Sequence, residues 1–336
     1  MFSLFLLFLQ QIASKKIIVF DCGSTGTRAM IVSYDNPDDV YSFQQAGNGM
    51  DSGYWYTTGK TRKILDPEEG PGNIDKIMLL FEKLNANIAA DEDKKTIPLL
   101  VYHTAGVRAK SEKDQVAIND LLFKTFTENE NSKGYLIKRE NFKVLTGDEE
   151  ALYQWISVNQ IYEFFNSDDT MPMLAMGGES MQYAIELREA PEDDFMKSFV
   201  YTIRMNNKYH YVFLYSWLNY GTTPLASHSH KEQYLANDKT SPCMFTGSKY
   251  EILIDGLNDG DYVGDIEGTG DFDQCVARMK PHITETSNRD KCENYNPTVS
   301  DYGKDNCVPF ADQFNKLYAI SCVGDAMRYV PNLKDK

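Results

Sequence analysis

The chain has 336 residues, 42% of them hydrophobic and 25% charged, with a formal net charge of −15. That length and composition allow two domains, each with a sizeable core, and exclude a disordered chain. No basic stripe relieves the acidic balance, which argues against nucleic acid as a partner; an anionic substrate would need a metal ion or backbone N–H groups to offset that field.

The N-terminal stretch MFSLFLLFLQQIAS opens on an apolar run, Phe2 to Leu9, broken only by Ser3. The run is too short to cross a bilayer, and with Ala13 and Ser14 behind it reads as a signal peptide over 1–14, although the usual basic n-region is missing. No membrane span is expected in the mature chain.

A strand at Lys16–Phe20 and another at Arg28–Tyr34 flank the loop Asp21-Cys22-Gly23-Ser24-Thr25-Gly26-Thr27. Strand, short loop, strand makes a hairpin; in P-loop and Rossmann fingerprints the glycines run into a helix instead. Residues 46–72, rich in Gly, Asp and Thr, read as an exposed loop. Helical spacing at Ile74, Ile77, Met78, Phe81, Leu84 and Ile88 predicts a helix over 73–90. A buried strand follows at Ile97–Tyr102. A helix over 111–126 starts with Ser111 and Asp114 as a cap. A short strand at 142–145 and a long helix over 149–165 complete the first half.

A second cycle then begins. A strand at Met173–Met176, a Gly177-Gly178 turn and a strand at Met181–Leu187 repeat the pattern of residues 17–34, and strands at 199–205 and 209–215 follow. This internal repeat is the main sign of architecture. Two hairpin loops with little side-chain bulk, one per lobe, let backbone N–H groups approach a phosphate from both sides.

Taken one at a time, these residues have ordinary explanations. An Asp after a strand forms turns, and Glu149-Glu150 at a helix start places solvated charge against the dipole. Trp155 at helical spacing belongs to a core. His228 and His230 share a strand face, but a surface loop accounts for them better than a metal.

The ordered set changes the reading. DCGSTGTRAMIVSYD, HTAGVR (103–108), LTGDEEALYQWISVN (145–159) and LAMGGESMQYAIEL (174–187) resemble, in order, the four motifs of the apyrases, the ecto-nucleoside triphosphate diphosphohydrolases that include the guanosine diphosphatases. SPCMF, DFDQC, NYNP and LYAIS follow the order of the family's cysteine-bearing region, so the likeness covers most of residues 16–330.

The resemblance implies an α/β fold of two actin-like, ribonuclease H-like lobes with a cleft between them, over 15–147 and 148–336, the second lobe incomplete at the C-terminus. It implies hydrolysis of nucleoside di- or triphosphates with Mg²⁺ or Ca²⁺, in a secreted or secretory-pathway setting. By position, Ser24, Thr25, Gly26, Gly178 and Ser180, with Glu179 in the same loop, fall at the terminal phosphate. Asp21, Thr104 and Gln182 fall at the metal, mainly through its waters. Glu150 falls at the general base. The chemistry suits those residue types: hydroxyl-rich loops donate without adding charge, and phosphoryl transfer needs positioning and charge neutralisation more than covalent catalysis. A helix dipole would favour an ionised Glu150.

Three departures stand out. Ala175 occupies a position where the family carries Asp. Glu179 replaces a small residue, and either offers a substitute carboxylate or repels the phosphate. The chain ends about a hundred residues before family members do. These departures leave room for an apyrase-like protein that binds nucleotide, phosphate or a partner without efficient turnover. The resemblance also implies disulfides Cys243–Cys275 and Cys292–Cys307, with Cys22 and Cys322 free and a family cysteine replaced by Asn219.

Overall fold

The computed structural model describes residues 16–24, 26–33, 42–45, 70–167, 169–192, 194–222, 224–225, 238–257, 260–287 and 318–321. The chain forms two compact units, Met1–Ser157 with Gly177–Glu179, and Val158–Met176 with Ser180–Lys336.

In the first unit, β1 (Lys16–Cys22) lies at the centre of a five-stranded sheet. Ile17, Ile18, Val19 and Phe20 are all buried, as a strand covered on both faces requires. It pairs antiparallel with β2 (Thr27–Ser33), which pairs antiparallel with β3 (Ser42–Gln45). On its other side β1 runs parallel to β4 (Pro98–His103), and β4 parallel to β5 (Leu136–Val144). The helices are α1 (Gly70–Asn85), α2 (Ala105–Arg108), α3 (Glu112–Glu128) and α4 (Gly147–Ile161). Phe20 of β1, Phe81 of α1 and Phe126 of α3 meet with ring centroids 4.9–5.2 Å apart, which locks both helices onto the sheet.

In the second unit, β6 (Met173–Met176) and β7 (Ser180–Leu187) form an antiparallel hairpin. After a single helical turn, α5 (Asp194–Lys197), β8 (Val200–Met205) and β9 (Lys208–Leu218) extend that sheet. Asn206 and Asn207, both at positive φ, turn one into the other as a two-residue hairpin loop demands. A late strand, labelled β13 (Tyr318–Ser321), runs parallel to β6, giving the order β13-β6-β7-β9-β8. Each unit therefore has a first strand with an antiparallel hairpin on one side and a parallel strand on the other, the ribonuclease H-like pattern of actin-like α/β lobes.

A smaller sheet joins β10 (Thr240–Ser241), β11 (Lys249–Leu257) and β12 (Gly260–Gly268), with α6 (Phe272–Ser287) following. The disulfide Cys243–Cys275 ties the β10–β11 connection to α6, as expected. Cys22 is buried and forms no disulfide among the described residues. The expected signal peptide, residues 46–69 of the loop expected over 46–72, His228, His230, Cys292, Cys307 and Cys322 lie outside the described residues, while residues 70–72 of that loop open α1 instead.

Several element bounds differ from expectation. The helix expected to reach residue 90 ends at Asn85, because Asn87 and Ile88 bond back to Leu84 and Asn85 in a tighter turn that still buries Ile88. β5 starts six residues early: it is an edge strand whose pairing slips between Leu99 and Val101, so its exposed Lys138 and Glu140 hide the alternation. The helix expected to reach Phe165 stops at Ile161, since Glu163 takes a left-handed conformation before a short 3₁₀ turn. Trp155 is fully buried, as its spacing implied.

Candidate functional site

Three motifs of the first unit converge through backbone contacts. Asp21 ends the apolar run of β1, opposite Arg28 of β2 and Tyr102 of β4. The loop after it is closed by Gly23 N–H donating to Gly26 C=O at 2.9 Å. Ser24 is buried at the turn, and Thr25 lies outside the described residues. Thr104 follows β4 and precedes α2; its N–H donates to Cys22 C=O at 3.1 Å, while its own carbonyl accepts from Val107 and Arg108. Its hydroxyl makes no cap bond within α2. Gly106 explains the glycine of HTAGVR. A Cβ there would fall 2.8 Å from Cα of Ser24, so α2 can press against the first loop only if residue 106 has no side chain.

The third motif joins through Leu145, whose N–H donates to His103 C=O at 2.8 Å. At the start of α4 the two glutamates separate. Glu149 accepts from Thr146 N–H at 3.0 Å while Thr146 Oγ1 accepts from Glu149 N–H at 3.1 Å, a reciprocal capping box, and Glu149 also pairs with Lys143. Glu149 thus serves the helix. Glu150 turns inward, 7% exposed, and its Oε2 accepts from Arg108 Nη1 at 3.0 Å. The same Nη1 donates to Leu145 C=O at 2.9 Å, and Gln115 Nε2 holds the Arg108 carbonyl at 3.1 Å.

Burial controls the charges here. Burial pushes the Glu150 carboxyl above its ordinary value, and the Arg108 charge and hydrogen bond pull it back only in part. The first-turn position favours the ionised form, and burial acts against it. Burial likewise raises Asp21 to about 6, with Arg28 opposing and Glu150 adding to the rise. Burial lowers His103 to about 3, with Asn119 acting the other way, which favours the neutral ring.

In the second unit, Asn159 at the end of α4 grips Met171 twice, accepting from its N–H at 2.6 Å and donating to its carbonyl at 3.0 Å. That clamp fixes the chain just before β6. Gly177, Gly178 and Glu179 form the β6–β7 turn; Gly178 and Glu179 are buried, Glu179 to 4% exposure. Ser180 and Gln182 open β7, both nearly inaccessible, and Gln182 Nε2 donates to Ser180 Oγ at 2.5 Å and to Ser216 Oγ of β9 at 3.2 Å. Ala175 is fully buried opposite Gln182.

Sequence reasoning missed roles for Arg108, Gly106 and Ser216. Arg108 left a signal: it is the one permanent cation in an otherwise apolar or neutral motif, and a buried guanidinium requires a partner. Ser216 left none, because only cross-strand register brings it to Gln182.

A ribonuclease H-like sheet whose first two strands enclose a glycine- and hydroxyl-rich loop, repeated at β6–β7, defines the actin-like class of fold. The chain belongs to the GDA1/CD39 (nucleoside phosphatase) family, whose model matches residues 9–332. It is similar to the Golgi apyrase of Saccharomyces cerevisiae, 23% identical over 79% of this chain and 47% of that one. It is also similar to ectonucleoside triphosphate diphosphohydrolase 4 of Homo sapiens, 24% identical over 84% of this chain and 54% of that one. Among solved structures, nucleoside triphosphate hydrolases from Neospora caninum match with a TM-score of 0.49 at 18% identity, over 81% of this chain and 56% of that chain. The chain spans about half the length of the curated relatives it matches.

Proposed function

We propose that this chain removes the terminal phosphate of nucleoside di- or triphosphates with the help of Mg²⁺ or Ca²⁺. The observation that carries the reading is the buried Glu150, held by Arg108 through one oxygen beside the Asp21 strand end. With Oε2 committed to Arg108, Oε1 takes the proton from a water. The water oxygen attacks the terminal phosphorus, and the bond from phosphorus to the bridging oxygen breaks. Ser24, Thr25, Gly26, Gly178 and Ser180 hold the phosphate through hydroxyl and N–H donors, which add no negative charge.

The donor set fits a hard cation. Asp21, Thr104 and Gln182 offer only oxygen, the ligand type that Mg²⁺ and Ca²⁺ select. No group of three or more His, Cys, Asp or Glu able to hold a metal occurs among the described residues, and mixed contact through water suits one carboxylate with neutral oxygens. When bound, the cation supplies charge neutralisation at the phosphate oxygens.

A relative named for the Golgi and the disulfide Cys243–Cys275 support placement in the secretory pathway or outside the cell. No helix among the described residues is long and apolar enough to cross a membrane. A second reading, binding without efficient turnover, is favoured by Ala175, whose methyl group offers the cation nothing. Phosphate release from ADP, GDP, UDP and ATP, with Mg²⁺, Ca²⁺ or chelator, separates the two: chelator-sensitive release supports hydrolysis, and its absence with retained nucleotide binding supports the second.

A further inference from the structure

The sheet of the second unit carries one polar row on an apolar face. Leu174, Tyr183, Tyr215 and Trp217 face one way and pack in a common cluster. The alternation of strands therefore points Ala175, Gln182 and Ser216 the other way. Register places these three side by side across β6, β7 and β9, since Ala175 pairs with Gln182 and Gln182 with Ser216. The next row on that face is Met173, Ala184 and Leu214, all fully buried and apolar.

An amide at 1% exposure beside such a row must find partners. Its cross-strand neighbour on β6 is a methyl group, and its neighbour on β9 is the Ser216 hydroxyl. Gln182 Nε2 has two hydrogens, and they go to Ser180 Oγ and Ser216 Oγ. With both donors committed, the planar amide turns Oε1 away from the two hydroxyls. A half-turn of the amide would exchange oxygen for nitrogen and present a donor in place of an acceptor.

We propose that Ser216 is a positioning residue that fixes the Gln182 amide with its oxygen presented to a divalent cation's water shell. It carries this role because position 175 has no polar group to share it. The proposal rests on the assignment of Gln182 to the cation in the nucleoside phosphatase reading.

The test measures Mn²⁺ binding by electron paramagnetic resonance, with a non-hydrolysable nucleotide present, in the full chain. Ser216→Ala is expected to weaken Mn²⁺ binding at least about tenfold, in line with loss of a group that orients a ligand. Ser216→Thr, which keeps the hydroxyl on a strand-compatible side chain, is expected to stay within about threefold. In an Ala175→Asp background, Ser216→Ala is expected to cost less than about threefold, because a carboxylate then neighbours the amide. Equal Mn²⁺ affinity in wild type and Ser216→Ala overturns the proposal, as does equal loss in the Ala and Thr variants, an undiminished loss in the Ala175→Asp background, or no saturable Mn²⁺ binding in wild type. Phosphate release is followed separately. Binding that responds to Ser216 without any release keeps the positioning role and removes hydrolysis; release indifferent to Ser216 does the reverse.

Discussion

Gly106 and Ser24 approach so closely that a Cβ on the first would lie 2.8 Å from Cα of the second. The contact joins two motifs far apart in the sequence. Gly106→Ala therefore forces backbone, not a flexible side chain, to move. We expect a destabilisation of about 1–3 kcal/mol, the usual cost of overpacking, with a larger loss in phosphate affinity than in helix content. Thermal denaturation and phosphate competition measure the two; an unchanged affinity would show that the Ser24 loop does not hold the anion.

The two glutamates at the start of α4 separate by experiment as they do by geometry. Glu150→Gln keeps the shape and removes the proposed base, so turnover should fall about 10²- to 10⁴-fold while nucleotide binding is largely kept. Glu149→Ala breaks the capping box with Thr146 and should cost about 0.5–2 kcal/mol of stability, leaving most turnover. Reversed results, with Glu149 controlling rate, would reassign the base.

Arg108 lowers the Glu150 carboxyl against the pull of burial. Removing that charge leaves desolvation unopposed, so the pKa rises further. A base works only when ionised, hence the acid limb of kcat/KM in Arg108→Gln should move to higher pH, with partial recovery in Arg108→Lys. Two other carboxyls of this region are also raised chiefly by burial: Asp21, to about 6 with Glu150 adding to the rise, and Asp148, which Arg108 lowers as it does Glu150. A pH profile that keeps its acid limb while only its height falls would make Arg108 a packing residue.

Cys243–Cys275 closes a loop across a sequence separation of 32 and ties the small sheet to α6. Cys275→Ser should cost about 2–4 kcal/mol in the second unit, on the chain-entropy account. Because Glu150, Arg108 and Asp21 lie in the first unit, hydrogen exchange there should be unaffected. Equal loosening of both units would overturn that expectation.

Much of this was legible in the residues. The apolar run of Ile17–Phe20 and the helical spacing around Phe81 specified a buried strand and its covering helix, because one periodicity fitted each. The hairpin loops were legible because their glycines ended in strands. The edge strand β5 was not, since charged residues such as Lys138 and Glu140 dilute any alternation. The β11–β12 hairpin escaped because Gly260, Gly264 and Gly268 punctuate it. At the site, resemblance separated Glu150 from Glu149, whereas the cap that takes one carboxylate and the guanidinium that takes the other exist only in three dimensions. Ser216 shows the limit most plainly: its partner is thirty-four residues away and meets it through register alone.

Ala175 gives the sharpest test of whether this chain turns over nucleotide well. Its methyl group is fully buried, directly across from Gln182, on the face that carries the amide. Ala175→Asp puts a carboxylate there. Without cation, a buried charge lacking full compensation should destabilise the fold, by about 1–3 kcal/mol. With Mg²⁺ or Ca²⁺ the same charge gains a partner, so the loss of thermal stability should shrink and phosphate release should rise at least about tenfold. Glu179, buried in the adjoining turn, offers an alternative. If it already supplies the acidic function, Glu179→Ala should abolish release and Ala175→Asp should add little. If Glu179 instead repels the phosphate, Glu179→Ala should raise release and tighten phosphate binding. Release unchanged by either substitution, yet lost in Glu150→Gln, would mean that the cation is held by groups other than those of the β6–β7 hairpin. A chain that releases no phosphate in any of these forms, while still binding nucleotide, would be a binding protein built on a phosphatase fold.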